Sequence, residues 1–176
     1  MPPLTRTTLD QNDIRRQLQV DAITLLKEDH AKAKKLMAEL EKTTERGVKT
    51  RTELWAKLLK ELTIHENIEE EIFYPALRDQ PKGKDIVLEA MEEHHLVDDI
   101  VEQIKDTPVN DEHWGAKFKV AKENVEHHIE EEETEMFKIA RQVFSKDELE
   151  EFGRQMEEAK AAQMQEAMPE RNEIRL

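Results

Sequence analysis

Apolar residues recur along this chain at alternating steps of three and four, in four successive stretches. The first stretch reads Ile23, Leu26, His30, Ala33, Met37 and Leu40, and the second Trp55, Leu58, Leu62, His65, Glu69, Ile72 and Ala76. The third is Val87, Ala90, His94, Val97, Val101 and Ile104; the fourth is Trp114, Phe118, Ala121, Val125, His128, Glu132, Glu135 and Ile139. Such a stripe is the face an amphipathic helix turns towards a core. Local signals mark the ends. Asp21 suits an N-cap, Gly47 ends the first helix, and Thr50-Arg51-Thr52-Glu53 reads as a capping box opening the second. Pro75, Pro81 and Gly83 mark its stop, the third helix runs from about Lys84 to Asp106, and the fourth opens near Asn110. Glu135 interrupts the fourth stripe, which makes Met136 the rival occupant of that core place.

These elements predict an all-α protein, an up-down-up-down four-helix bundle packed at about 20°. Ser145-Lys146-Asp147-Glu148 is a second capping box, opening a fifth helix through about Met168. Its apolar face (Leu149, Phe152, Met156) is thin, so it is left to lie outside the bundle or to serve a partner chain in a homo-oligomer. The chain divides into a tail and lead-in over 1–20, a bundle over 21–142, and a C-terminal helix and tail over 143–176.

The stripes also repeat one another. Glu28-Asp29-His30 matches Glu92-Glu93-His94 at an offset of 64, and His65-x-x-x-Glu69 matches His128-x-x-x-Glu132 at an offset of 63. The chain therefore reads as two copies of one helical hairpin, each bringing one His and one His-x-x-x-Glu to the seam. Four residues is one helical turn, so each His and its Glu share a face.

Composition sharpens this picture. With 41 of 176 positions acidic, a lone His four residues before an acid carries little, and His95 with Asp99 or His127 with Glu131 qualify equally. Position carries more. His30, His65, His94 and His128 stand on the seams of all four helices beside Glu69 and Glu132, where an unpaired carboxylate costs several kcal/mol or takes up a proton. A metal cluster accounts for six polar groups on a bundle seam. His95, His113 and His127 fall off the seam, and Trp55 and Trp114 read as core plugs. The net charge of -14 disfavours nucleic acid and anionic lipid. No apolar run approaches the roughly 20 residues of a membrane span, and the N-terminus has no apolar leader core; the expectation is a cytoplasmic protein. With no cysteine, thiolate ligands are excluded. There is no nucleophile–base pair, phosphate loop or nucleotide fingerprint.

Four imidazoles and two carboxylates exceed the needs of one tetrahedral zinc, and oxygen-only calcium or magnesium sites do not recruit histidine this way. Mixed nitrogen and oxygen donors suit iron or manganese. The repeat suggests two metals, two histidines to each, with Glu69 and Glu132 bridging and water, hydroxide or oxo filling part of the remaining positions.

Over roughly Asp21 to Arg141 the sequence resembles the hemerythrin-like family, the HHE cation-binding domains. The marks are Glu28-Asp29-His30, His65-x-x-x-Glu69-Glu70 with Phe73-Tyr74-Pro75, Glu93-His94, and His128-x-x-x-Glu132-Glu133 with Met136-Phe137. The resemblance implies two iron ions in a non-haem di-iron centre that meets dioxygen, nitric oxide or peroxide, with roles in oxygen binding or stress response. Oxygen-carrying members place a second histidine one turn after the helix-three ligand, where this chain has Asp98, and use a carboxylate five residues after the last histidine, here Glu133. The set His30, His65, Glu69, His94, His128 and Glu132 is closer to that of bacterial di-iron proteins that repair iron centres. Three functions follow as expectations: a di-iron protein for small-ligand sensing or detoxification, an iron-storing or iron-donating protein, and a structural bundle used for protein contacts.

Overall fold

The computed structural model describes residues 20–166. The expected N-terminal tail and the end of the fifth helix fall outside them. Among the described residues every regular element is helical: α1 (Ala22–Glu41), α2 (Val48–Ile68), α3 (Tyr74–Arg78), α4 (Lys84–Lys105), α5 (Glu112–Glu131), α6 (Phe137–Val143) and α7 (Lys146–Glu166). The second and fourth bundle helices each contain a π turn, Glu69–Phe73 between α2 and α3, and Glu132–Met136 between α5 and α6. Helix α1 packs on α2 and α5, while α4 packs on α5 and α3, which closes the four-helix ring.

The π turns shift the expected core by one residue. Tyr74 N–H bonds the Glu69 carbonyl and Phe137 N–H bonds the Glu132 carbonyl, each five residues back. One inserted residue rotates everything that follows by about 100°. Ile72, Ala76 and Ile139 are accordingly only half-buried and Glu135 is exposed, whereas Phe73, Tyr74, Leu77, Met136, Phe137 and Ala140 take the core places. Both turns begin on the seam glutamates, and 132 minus 69 is again the repeat offset of 63.

Two expected boundaries change. Helix α1 ends at Glu41, and Gly47 stands at the N-cap of α2, without a side-chain cap. Because Arg51 N–H already reaches the Gly47 carbonyl at 2.9 Å, Thr50 lies inside the first turn and its capping box does not form. Buried Arg51 fastens this end instead. It donates to Thr43 Oγ1 and the Thr43 and Val109 carbonyls at 2.8–3.0 Å, with its guanidinium 4.8 Å from the Trp114 ring. The other caps form as expected, Asp21 accepting from Thr24 N–H at 3.0 Å and Ser145 N–H donating to Glu148 at 2.7 Å.

Helix α7 lies against α1 and α2 of its own chain. Met156 and Leu149 are buried there, and Phe152 packs edge-on to Phe144. Gly153 permits the approach, since a Cβ at that position would sit 2.2 Å from the Val20 carbonyl oxygen. No helix among the described residues is long and apolar enough to cross a membrane.

Candidate metal centre

Two apolar clusters fill the bundle. One gathers Ile23, Leu26, Ile68, Phe73, Tyr74, Leu77, Met136 and Phe137 with the α7 contacts; the other gathers Ala33, Met37, Trp55, Leu62, Val97, Trp114, Val125 and Ile129. Between them lies a polar layer. The helical seams put His30 between Leu26 and Ala33, His65 between Leu62 and Ile68, and His94 between Ala90 and Val97. His128 and Glu132 fall between Val125 and Met136 by the same logic. All six seam residues are buried, Glu69 and Glu132 to 0% and 1% exposure.

The imidazoles turn Nε2 inward. His30 Nε2 lies 3.1 Å from Glu132 Oε2, and His65 Nε2 lies 3.2 Å from Glu69 Oε1. His94 Nε2 stands 3.5 Å from Glu69 Oε2, and His128 Nε2 3.5 Å from Glu132 Oε2. Donor atoms of His30, His65, Glu69 and Glu132 all fall within 4.8 Å of one another, as do those of Glu69, His94 and His128. The two groups share Glu69.

Each Nδ1 faces outward to a carboxylate. His30 meets Glu133 at 2.9 Å, His94 meets Glu70 at 2.8 Å, and His128 meets Glu93 at 2.7 Å. His65 Nδ1 faces Asp29 at 3.6 Å. These four acids obey the same repeat, since each stands directly before or after a seam residue. A charged carboxylate only accepts, so the Nδ1 of His30, His94 and His128 carries the proton and Nε2 keeps a lone pair. His94 Nε2 and His128 Nε2 then point lone pairs at each other across 3.1 Å.

That arrangement fits a cation. His30 Nε2, His65 Nδ1 and Nε2, Glu69 Oε1 and Glu132 Oε2 are buried without a hydrogen-bond partner, a condition native interiors rarely tolerate. A positive ion satisfies inward lone pairs and carboxylate oxygens together. Among protein groups alone, burial pushes the His65 imidazole down to about 4. Burial and the facing Glu132 carboxylate hold Glu69 well above the usual range. Burial opposes charge on Glu132 as well, but with no cation between them a positive charge on His128 and a hydrogen bond from His30 outweigh it and keep that carboxyl low.

The floor of the layer is aromatic. Tyr74 stacks on His94 with centroids 5.5 Å apart, and Phe137 stacks on His30 at 5.8 Å. These are equivalent positions, 74 plus 63 being 137, so the hydroxyl exists in one half only. Tyr74 O–H donates to Glu132 Oε1 at 2.9 Å and lies 3.4 Å from Glu69 Oε2 and from His94 Nε2. A small cavity of about 20 Å³ borders the layer. The four histidines line it together with Ala33, Leu62, Val97, Val125, Ile129 and Glu66, and it has room for about one water-sized molecule. Burial and Asp98 push Glu66 up to about 8.

His95, His113 and His127 are exposed, and Asp98 is exposed outside either donor group. Glu70 and Glu133 orient histidines and leave the inner positions to Glu69 and Glu132. Asp29, Glu93 and Glu66 carry no site role in the sequence reading, whereas Tyr74, the single tyrosine and about one turn beyond Glu69, reads there as packing at the bundle end with the site within reach, and the structure sets it against Glu132. The first two were already visible as the acids preceding His30 and His94 in the repeat, whereas nothing in the periodicity revealed that a π turn would swing Tyr74 inward.

Fold and site together define a helical bundle with a buried His/Glu centre for metal. The hemerythrin HHE cation-binding domain model matches residues 21–140, and the chain belongs to that family. It is also similar to a crystal structure from Mycobacterium kansasii, that of a hemerythrin HHE cation-binding domain-containing protein homologous to Rv2633c. The TM-score is 0.76 and the identity 30%, over 84% of this chain and 90% of that one. No curated protein matches.

Proposed function

We propose that the chain is a non-haem di-iron protein that binds or reacts with a small ligand, dioxygen, nitric oxide or peroxide, in sensing or detoxification. The observation that carries this reading is the pair of buried donor groups sharing Glu69 beside a cavity sized for a very small molecule. His30 and His65 would hold one ion and His94 and His128 the other. Glu69 directs one oxygen to each half, and Glu132 Oε2 stands between His30 and His128. Iron bound there would supply the electron chemistry that no side chain in the site can perform.

The chain's own residues do the rest. Glu133, Glu70 and Glu93 fix three imidazole tautomers and rotations. Tyr74 O–H holds Glu132 Oε1 in place. The apolar wall limits what enters, and Glu66 places one carboxyl on the cavity lining. Burial of all six inner donors favours retaining iron over donating it.

Metal analysis after iron-replete expression tests the reading. Two iron ions per chain, with a near-ultraviolet charge-transfer band that changes on adding nitric oxide or azide, are expected. Less than one iron per chain and no such band would overturn it. Iron that passes readily to an apo-acceptor protein would instead establish the donor function.

A further inference from the structure

The repeat makes the two halves of the centre alike, and α7 makes them unlike. Three of the four outward Nδ1 atoms sit 2.7–2.9 Å from a carboxylate. The fourth, His65 Nδ1, is 3.6 Å from Asp29 Oδ2, beyond hydrogen-bond reach. Lys160 of α7 donates to both Asp29 oxygens, at 2.5 and 2.6 Å, in a pair only 21% and 13% exposed. At the equivalent position in the other half, Glu93 keeps its 2.7 Å bond to His128, and its other neighbours within the described residues are the exposed ring of His127 at 3.7 Å and Glu131, with no lysine among them. Helix α7 reaches Asp29 because it packs on α1 and α2, with Gly153 against Val20 and Gln163 accepting from Asn67 Nδ2 at 3.0 Å.

An imidazole hydrogen-bonded to a carboxylate is a stronger electron donor to a bound metal than one without it, and such partners tune potential as well as orientation. Loss of that bond therefore favours the reduced metal, and a nearby fixed positive charge acts in the same direction by favouring the less charged ion. We propose that Lys160 is a positioning residue that makes the metal position held by His30 and His65 the more readily reduced of the two. The C-terminal helix thereby gives a pseudo-symmetric centre a defined electronic polarity, with the first electron entering beneath α7. This rests on the di-iron reading above.

The test is a reductive titration of the iron-loaded full chain, with ⁵⁷Fe Mössbauer spectra following each ion. Wild type is expected to show two inequivalent irons reduced in two steps. Lys160→Met frees Asp29 to bond His65, so the first step moves to more negative potential and the two steps draw together. Lys160→Arg keeps the charge and keeps the wild-type pattern. Asp29→Asn removes the carboxylate and moves the first step to more positive potential. Opposite shifts in Lys160→Met and Asp29→Asn are the required result, because general loosening of the helix would move both alike. Unchanged steps in Lys160→Met, or shifts of the same sign in the two variants, overturn the proposal. If Lys160→Met does not fold, Asp29→Asn alone decides, and the absence of a positive shift there overturns it. Failure of the di-iron reading is seen separately, as a wild-type chain that lacks two irons before any variant is compared.

Discussion

Glu69→Leu separates a group kept for metal from a group kept for the fold. Glu69 is 0% exposed, its Oε1 has no hydrogen-bond partner, and its Oε2 has only Tyr74 O–H, at 3.4 Å. Leaving a buried acceptor unsatisfied costs about 1–3 kcal/mol, and replacing such a group with an apolar one of similar size is neutral or stabilising. Tyr74 keeps its better bond to Glu132 at 2.9 Å, so the substitution orphans no donor. The metal-free variant should therefore be more stable than metal-free wild type by about 1–3 kcal/mol. At about 2–4 °C per kcal/mol for a chain of this size, the midpoint rises by roughly 2–12 °C. With iron present the order reverses. Each site saturated a hundredfold above its Kd adds about 2.7 kcal/mol to wild type, while the variant has lost the shared ligand. Thermal and urea melts followed by circular dichroism, with and without ferrous iron under anaerobic conditions, read both signs. A metal-free Glu69→Leu protein that melts below metal-free wild type would refute the reasoning and make Glu69 a structural residue.

Three further outcomes follow from the same geometry. Tyr74→Phe copies the Phe137 side of the repeat, leaves the buried Glu132 Oε1 without its donor and costs about 1–3 kcal/mol in a urea melt of the metal-free protein; an unchanged midpoint would show the 2.9 Å bond to be energetically idle. Gly153→Ala forces a Cβ onto the Val20 carbonyl and the Ala22 amide, so overpacking should lower stability by about 1–3 kcal/mol, measured by thermal melt, with α7 as the element that loosens in hydrogen exchange. Ser145→Ala removes the N-cap hydroxyl, which accepts from Glu148 N–H at 3.3 Å and donates to its carboxylate at 2.7 Å, and should cost about 0.5–2 kcal/mol, with the first turn of α7 exchanging faster.

Much of the bundle is legible in the sequence because a 3-4 apolar stripe and its caps are local properties. Asp21 and Ser145 mark helix starts by side-chain chemistry that needs no tertiary contact. What escaped depends on neighbours. Past Glu69 and Glu132 an α-helical phase selects Ile72 and Ile139; the inserted π residue, unmarked in the sequence, hands those places to Phe73 and Ala140. The candidate Met136 over Glu135 was the one visible trace of that shift. For the inner layer, the repeat brought out all six residues that the structure gathers between the two apolar clusters. It also contained the outward acids Asp29, Glu70, Glu93 and Glu133, but in so acidic a chain only geometry distinguishes them from solvated surface. The role of Lys160 has no counterpart in the repeat, since it arises from α7 folding back on one half.

The central claim is that this layer is a dinuclear metal centre, and an iron-edge anomalous difference map from crystals of iron-loaded protein tests it most directly. Two peaks are expected inside the bundle, one among His30, His65 and Glu132 and one beside His94 and His128, with Glu69 reaching both. A single peak, or iron bound only at the peripheral Glu93, His127 and Glu131 group, would contradict it.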